Sequence, residues 1–160
     1  MTMAYSIRPY RDDDAEALAE IIFTAIETIG PHSYTPEQVA IWATRHPGAD
    51  QFRQRAARGD ILLVAADDTD WPVAYAILES DGHLDHLYCH PLHTRRGLAN
   101  RLLDEAERIA RQQGNCCLYT EASELARASF ERAGYSVSHR RDFDLDGVPI
   151  HNYAMEKALN

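Results

Sequence analysis

A six-residue turn from Thr94 to Ala99 carries the residue types of a phosphate-binding loop. Gly97 allows a ligand to approach the backbone closely, and the small Ala99 leaves space above the start of the helix that follows. The first N–H groups of that helix have no partner within it, and the helix dipole adds positive potential there. Arg95 and Arg96 offer charge to a pyrophosphate or a nucleotide 3′-phosphate. These residues favour an anion site, although the same pattern also occurs at solvated helix starts.

The turn differs from two other nucleotide-binding motifs. It lacks the Gly-Lys-Ser/Thr ending of a P-loop and the third glycine of a dinucleotide-binding fingerprint. The sequence therefore disfavours a nucleoside triphosphatase and a Rossmann dehydrogenase.

Several candidate metal ligands precede or lie within the same stretch of chain: His83, His86, Cys89, His90 and His93. Strand periodicity directs His83 and His86 to opposite faces, and Pro91 separates His90 from His93. We therefore predict that no metal is bound here. A metal-binding regulatory domain built on these histidines stays as an alternative, which metal analysis of the native protein would decide.

The elements that would position the turn follow from hydrophobic periodicity and turn signals. Strands are predicted over 5–10, 61–66, 71–78, 83–89 and 116–120, and Asp146-Gly147 predicts a hairpin with arms 135–145 and 148–155. Helices are predicted over 16–29, from Pro36 through Trp42, over 49–58, from Leu98 to Ala110 and between Ser123 and Gly134. Together they predict an α/β fold of the mixed α+β kind, with a mostly antiparallel central sheet of about seven strands flanked by helices.

Length and composition narrow the function classes. The 160 residues predict a single domain over 1–160. The formal charge of −9 disfavours nucleic acid and anionic membranes as partners, and it weakly favours a cationic acceptor. The start from Met1 to Arg8 shows no leader and no stretch is long enough to span a membrane, so we expect a soluble, cytoplasmic protein. The three cysteines include the adjacent pair Cys116-Cys117, which predicts reduced thiols.

Two motifs resemble those of the GCN5-related N-acetyltransferases. The string from Leu87 to Pro91 followed by Thr94 to Ala99 is similar to the acetyl-CoA signature Gln/Arg-x-x-Gly-x-Gly/Ala of this family. The segment from Ala126 to Tyr135 resembles the family's late helix, which ends in Tyr/Phe-Glu-Lys/Arg-x-Gly-Phe/Tyr. The resemblance extends over essentially the whole chain, and the segment 34–39 with Trp42 resembles an uncharacterised bacterial subgroup.

The resemblance implies an acetyl-CoA-dependent N-acetyltransferase that acts on a primary amine of a small molecule or peptide, by direct attack in a ternary complex. It further implies a V-shaped opening between the fourth and fifth strands that receives pantetheine, and a homodimer. The implied acetyl-CoA-binding residues are Leu87, Tyr88, Cys89, Arg95, Arg96, Gly97, Leu98, Ala99, Asn100, Ser123, Ala126, Phe130 and Arg132. Because backbone amides do most of this binding, Thr94 in place of the usual Gln or Arg removes one side-chain contact only.

The catalytic residues are where the sequence departs from the family. The family's tyrosine acid would precede Glu131, where this chain has Phe130. Tyr88 or Tyr119 is then expected to protonate the departing thiolate, unless the thiolate leaves unaided, since thiol pKa values are about 8.5. A backbone N–H of Tyr88 or Cys89 would polarise the thioester carbonyl.

Positions at or near strand ends that border the expected cleft suggest residues on the acceptor side. The candidate general bases are Glu121, His86 and Glu79, and the expected acceptor-binding residues are Tyr34, Trp42, Glu79 and His86. Trp42 also lies on the apolar face of its helix, so core packing is the other interpretation of this residue. The phenylalanine at position 130 leaves open a catalytically silent acyl-CoA sensor.

Overall fold

A computed structural model describes residues 4–45 and 48–160, and within these ranges the chain forms seven strands and five α-helices. The strands are β1 (Ser6–Pro9), β2 (Ile61–Ala66), β3 (Pro72–Leu78), β4 (Leu84–Cys89), β5 (Cys117–Ala122), β6 (Ser136–Leu145) and β7 (Val148–Ala158). The helices are α1 (Ala15–Ile29), α2 (Pro36–Thr44), α3 (Ala49–Ala57), α4 (Leu98–Gln112) and α5 (Arg127–Arg132). Residues 1–3 of the N-terminal segment considered above lie outside the described ranges.

The strands form two antiparallel sheets that meet along β4 and β5. One sheet has the order β1-β2-β3-β4, and the other has the order β5-β7-β6. A single parallel bridge between His83 and Tyr119 joins the two sheets in the part of the chain that is described. The expected mixed, mostly antiparallel arrangement of about seven strands is confirmed, with helices on both faces.

The sheets separate soon after this bridge and create a V-shaped opening. The Tyr119 amide donates to the Gly82 carbonyl at 3.1 Å, and the Thr120 hydroxyl donates to the Leu84 carbonyl at 2.7 Å. A Cβ on Gly82 would lie 2.3 Å from the Cys117 carbonyl oxygen, and Gly82 has a φ of +97°. This glycine therefore permits the contact at which the two sheets meet.

A β-bulge in β4 changes which side chains share a face. Leu78 pairs with Leu84, but Ile77 pairs with His86, so Asp85 is an extra residue in β4. His83 and His86 both approach Asp85, with Nε2 to carboxylate distances of 3.9 and 3.6 Å. The prediction that the two histidines point to opposite faces is therefore wrong, because the simple two-residue period is interrupted between them.

Two apolar clusters hold helices on opposite faces of the sheets. The amphipathic face of α4 packs against one face through Leu98, Leu102, Leu103, Ala106 and Ala110. On the other face, α1, α2 and α3 pack through residues that include Leu18, Ile22, Ile26, Val39 and Phe52. The start of α4 and the α1–α2 region thereby come to lie on either side of the V-shaped opening.

Local sequence signals explain several element boundaries. The Thr35 hydroxyl accepts a hydrogen bond from the Gln38 amide at 3.1 Å, which caps α2 as expected. Asp146 and Gly147 both have positive φ values, +50° and +84°, and connect β6 to β7. Helix α5 is shorter than predicted and begins at Arg127. None of the helices within residues 4–45 and 48–160 is long and apolar enough to cross a membrane.

Candidate active site

The turn before α4 presents a row of backbone N–H groups to solvent. Gly97 has a φ of +76°, which permits the abrupt change of direction into the helix. The first helical hydrogen bond runs from the Arg101 amide to the Gly97 carbonyl at 3.1 Å. The amides of residues 95–100 donate no hydrogen bond to any residue that the structure describes. The turn therefore has the free donors that an anion site requires.

The side chains of the turn add positive charge to these donors. Arg95 and Arg96 are exposed, and neither has an ion-pair partner within the described ranges. The side chain of Leu98 is instead buried in the core, so only its amide is available to a ligand.

A cavity of about 180 Å³ leads from this turn into the V-shaped opening. Its wall is mostly apolar and includes Thr94, Ala99 and Leu102 near the turn, and Leu87, Cys89 and Ala126 deeper in the opening. We call it the donor cavity. Burial raises the pKa of the Cys89 thiol to about 11, so this thiol is protonated at neutral pH.

The pairing of β4 decides which of its amides face the donor cavity. The His90 amide donates to the Val73 carbonyl at 2.8 Å, and the register pairs Tyr88 with Tyr75. Alternate residues of an antiparallel pair exchange both backbone hydrogen bonds, so Tyr88 bonds to β3. Leu87 and Cys89 direct their backbone groups to the opening. This register does not support the Tyr88 amide as a donor to the thioester carbonyl, and it leaves the Cys89 amide available for that role.

A second cavity of about 250 Å³ lies on the opposite side of the opening. Strands β4 to β7 and the α2 region all contribute to its wall, through Tyr34, Trp42, Asp85, Leu87, Tyr88, Thr120, Glu121, Ala122, Ser123, Ala126, Phe130, Arg141, Phe143, Leu145, Ile150, His151 and Asn152. We call it the acceptor cavity. Residue 130, where the family has its tyrosine, contributes an apolar ring to this wall and is 2% exposed.

The two cavities share five wall residues: Trp42, Leu87, Tyr88, Ser123 and Ala126. Tyr88 is the phenol among them, and burial raises its pKa well above the usual value, so its hydroxyl keeps its proton. Molecules that enter from the two sides would therefore meet beside a protonated phenol.

The carboxylates of the acceptor cavity are already paired with cations. Asp85 bonds to Arg55 at 2.5 Å, and Glu121 accepts a hydrogen bond from His83 at 3.0 Å. Burial alone would raise the pKa of Asp85, but nearby positive charge lowers it. Hydrogen bonds to Glu121 and Glu79 raise the pKa of His83 to about 9 despite partial burial. His83 therefore carries a positive charge at neutral pH.

Tyr34 lines the acceptor cavity, and its hydroxyl bonds to two other segments of the chain. Its hydroxyl donates to the His151 carbonyl at 3.1 Å and accepts from the Glu124 amide at 2.8 Å. The Trp42 ring packs edge-on against Tyr34, with centroids 5.5 Å apart. Trp42 thus packs in the core and also lines both cavities, so the two interpretations of this residue are compatible.

Nine of the sequence-predicted site residues line neither cavity. Five of them belong to the turn and the start of α4: Arg95, Arg96, Gly97, Leu98 and Asn100. The other four are Tyr119, Glu79, His86 and Arg132. Tyr119 donates to Asp81 at 2.5 Å, and Glu79 forms an ion pair with Arg58 at 2.8 Å. His86 packs among aromatic rings and bonds to the Tyr75 hydroxyl at 2.9 Å, and burial lowers its pKa to about 4. Arg132 is exposed and bonds to Ser129. Of the three candidate bases, only Glu121 lines the acceptor cavity.

The terminal hairpin contributes to the acceptor cavity, which the sequence patterns did not indicate. Arg141, His151 and Asn152 all line the acceptor cavity, as does the bulged Asp85. The Asp146-Gly147 turn fixes a register that pairs Arg141 with Asn152, so their proximity was available from the sequence. What was not available is the side of the opening against which this hairpin packs.

One group of potential metal ligands occurs in the part of the chain that the structure describes. Single ligand atoms of His83, Asp85 and Glu121 lie within 4.8 Å of one another. Both nitrogens of His83 already bond to carboxylates, and Asp85 is paired with Arg55. Binding a cation here would require these ion pairs to break, which fits a metal site poorly.

Comparison with known proteins agrees with this geometry. Residues 31–157 match the model of the acetyltransferase (GNAT) domain. The chain is 25% identical to the uncharacterised N-acetyltransferase YafP of Escherichia coli K12, over 93% of each chain.

Solved structures show the same fold. The alignment with a GCN5-related N-acetyltransferase from Rhodopseudomonas palustris covers 99% of each chain, with 33% sequence identity and a TM-score of 0.86. YncA from Salmonella typhimurium, solved with its cofactor acetyl-CoA, is 21% identical and has a TM-score of 0.75 over 100% of this chain and 95% of its own. The family model covers most of the sequence, and the chain therefore belongs to the GNAT acetyltransferase family.

Proposed function

We propose that this protein transfers the acetyl group of acetyl-CoA to a primary amine of a small molecule or peptide, within a ternary complex. The observation that carries this proposal is the meeting of the donor and acceptor cavities at five shared residues. Two reactants that enter from opposite sides would react directly, without an acyl-enzyme intermediate, because proximity alone removes much of the barrier.

The donor cavity fits the chemistry of coenzyme A. The free amides of residues 95–100 and the two exposed arginines would bind the pyrophosphate, and the apolar wall would enclose pantetheine. The outward backbone groups of Leu87 and Cys89 would pair with the pantetheine amides, as an added strand pairs with an open sheet edge.

The reaction requires three groups near the thioester. The amine nitrogen attacks the thioester carbonyl carbon, the carbon–sulfur bond breaks, and the amine loses a proton while the CoA thiolate gains one. Glu121 is the proposed proton acceptor because it lines the acceptor cavity. Tyr88 is the proposed proton donor because it lines both cavities and keeps its proton, and the Cys89 amide is the proposed donor to the developing oxyanion.

The test of donor binding compares Gly97→Asp with Gly97→Asn. The two side chains have nearly the same shape, and both residues tolerate the left-handed backbone of position 97, where an added Cβ has no neighbour within 4 Å. They differ in charge. We expect Gly97→Asp to weaken acetyl-CoA binding at least 10-fold relative to Gly97→Asn, measured by titration calorimetry, because a carboxylate would face the phosphates. Equal affinities in the two variants would contradict a phosphate site at this turn.

Catalysis is tested separately by thiol release from acetyl-CoA over a panel of primary amines. Turnover with any amine supports the transferase. Tight acetyl-CoA binding without turnover on the whole panel would instead support the acyl-CoA sensor that Phe130 leaves open.

A further inference from the structure

The acceptor cavity contains one cation that has no carboxylate partner. Asp85 is paired with Arg55, and Glu121 is paired with the protonated His83. His151, on the same wall, bonds to Glu124 at 2.7 Å. Arg141 lines this cavity as well, and it forms no ion pair with any residue in 4–45 or 48–160. Arg141 is therefore the guanidinium of the cavity wall that a bound anion could pair with, although the whole chain carries −9.

The guanidinium of Arg141 is held in place by neutral neighbours. Its Nη1 donates to the side-chain oxygen of Asn152 at 3.0 Å, and the group lies 5.4 Å from the centre of the Phe143 ring. Its Nε and Nη2 donate no hydrogen bond to the residues that the structure describes, and neither does the side-chain nitrogen of Asn152. A planar guanidinium with two adjacent N–H groups unused matches a carboxylate, which accepts two parallel hydrogen bonds.

The neighbouring arginine, Arg140, is paired, unlike Arg141. Arg140 points to the other face of β6, where it pairs with Asp142 at 3.1 Å and is exposed. Arg141 is only partly exposed and lies on the cavity wall with Phe143 and Leu145. A partly desolvated charge without a partner is unfavourable, and a bound anion would relieve this cost.

We infer that the acceptor is a small amine that also carries a carboxylate, such as a free amino acid. This inference rests on the proposed function. Arg141 and Asn152 would bind the carboxylate on the hairpin wall, and the amine would lie toward Glu121 and Tyr88. The volume of about 250 Å³ is below the usual 300 to 1,000 Å³ of ligand pockets, which favours a small acceptor. A polycationic amine would face the unpaired guanidinium and is disfavoured.

Matched acceptor pairs test the inference with the full-length enzyme. L-phenylalanine is compared with phenethylamine, and L-methionine with 3-(methylthio)propylamine, since each pair differs only in the carboxylate. We expect kcat/KM to be about 10- to 100-fold higher for at least one amino acid, as charge-assisted hydrogen bonds contribute about 1.5–3 kcal/mol. Equal or better turnover of the plain amines, or of spermidine, would overturn the inference while leaving the transferase activity established.

Two variants assign the preference to Arg141. Arg141→Gln should remove the preference, so that kcat/KM for the amino acid falls to the level of its amine partner. Arg141→Lys should restore part of the preference, because it returns the charge without the planar pair of donors. A loss of both activities in equal proportion would show a structural role and would contradict the assignment.

A binding measurement separates this inference from the proposed function. Calorimetry of the same amino acids is carried out with the CoA-loaded wild type and with Arg141→Gln. Amino-acid binding that depends on Arg141, without turnover, would support the carboxylate site and refute the transferase. No Arg141-dependent binding and no turnover preference would refute the carboxylate site.

Discussion

The donor and acceptor cavities are neighbours, but they are built in different ways. The donor side relies on backbone amides of the turn into α4, and the mostly apolar wall of its cavity combines β4 and this turn with residues of α1, α2, β3 and the segment 123–129. The acceptor cavity is made from side chains of strands β4 to β7 and the α2 region, and Asp85, Glu121 and Arg141 among them are charged. On the proposed function, the cosubstrate would be recognised mainly through backbone conformation and the acceptor through side-chain identity.

This difference predicts how the two sides respond to substitution. Side chains in the donor turn should contribute little to acetyl-CoA binding if the backbone conformation is kept. Thr94, which stands where the family usually has Gln or Arg, is expected to remove one side-chain contact only. On the acceptor side, one substitution changes a charge or a hydrogen bond that no backbone group replaces. The two cavities are therefore separable: acceptor variants should leave acetyl-CoA binding intact.

The largest effect is expected from Glu121→Gln. The substitution keeps an acceptor for the His83 hydrogen bond but removes the proposed base. We expect kcat to fall about 100-fold, within the usual range for loss of a general base, while the acetyl-CoA dissociation constant stays within about twofold. Steady-state kinetics and titration calorimetry measure the two quantities.

Glu105→Gln is the matched control for this change. Glu105 lies on α4, pairs with Arg108 and lines neither cavity, so its substitution should leave kcat unchanged. If Glu121→Gln retained wild-type kcat, or if it weakened acetyl-CoA binding as much as turnover, the separation of the two cavities would fail.

The sequence predicted most of the fold because local signals and long-range pairing agree. The amphipathic period of α4, the Thr35 cap and the Asp146-Gly147 turn each require only nearby residues. The β4 bulge was missed because an extra residue depends on the partner strand and has no signal in the β4 sequence itself. That one residue brought His83 and His86 to the same face.

The sequence indicated the donor turn more completely than the acceptor wall. The donor turn is contiguous, so its glycine, small residue and helix start were recognisable together. The acceptor wall combines Arg141, Asn152 and Asp85 with residues far away in the chain, and its composition depends on how the hairpin packs. His86 and Glu79 were expected near the acceptor, but the structure buries one among rings and pairs the other with Arg58.

A smaller effect is expected on the pH dependence of stability. Ion pairs such as that between His83 and Glu121 border the acceptor cavity, whereas the donor cavity is mostly apolar. Ion pairing raises the pKa of His83 from 6.5 to about 9, so the folded state binds the proton more tightly than the unfolded state. This stabilisation is complete below about pH 6.5 and is lost as the pH rises through 9.

His83→Gln measures this contribution. We expect the wild type to exceed the variant in free energy of unfolding by about 1–2 kcal/mol more at pH 6 than at pH 10, after allowance for screening at this partly exposed cluster. Urea unfolding at the two pH values gives the difference. A gap between the two proteins that does not change with pH would contradict charged pairing of His83 in the folded state.

The smallest effect is expected where the cavities meet. Tyr88→Phe removes the phenol that both cavities share and keeps the ring that packs against Tyr75. We expect kcat to fall by no more than about tenfold, because a thiolate with a pKa of about 8.5 leaves without a proton donor at a moderate cost. The loss should be smaller with an acyl donor whose leaving thiol is more acidic, since protonation then matters less.

Phe130→Tyr in the Tyr88→Phe background is the complementary variant. Residue 130 lines the acceptor cavity, where the family has its tyrosine, so a hydroxyl introduced there should recover part of the lost kcat. Acetyl-CoA affinity should stay the same in both variants, because neither hydroxyl belongs to the backbone groups that bind the donor. A Tyr88→Phe enzyme with unchanged kcat for every acyl donor would show that the thiolate leaves unaided. No residue of either cavity would then act as its proton donor.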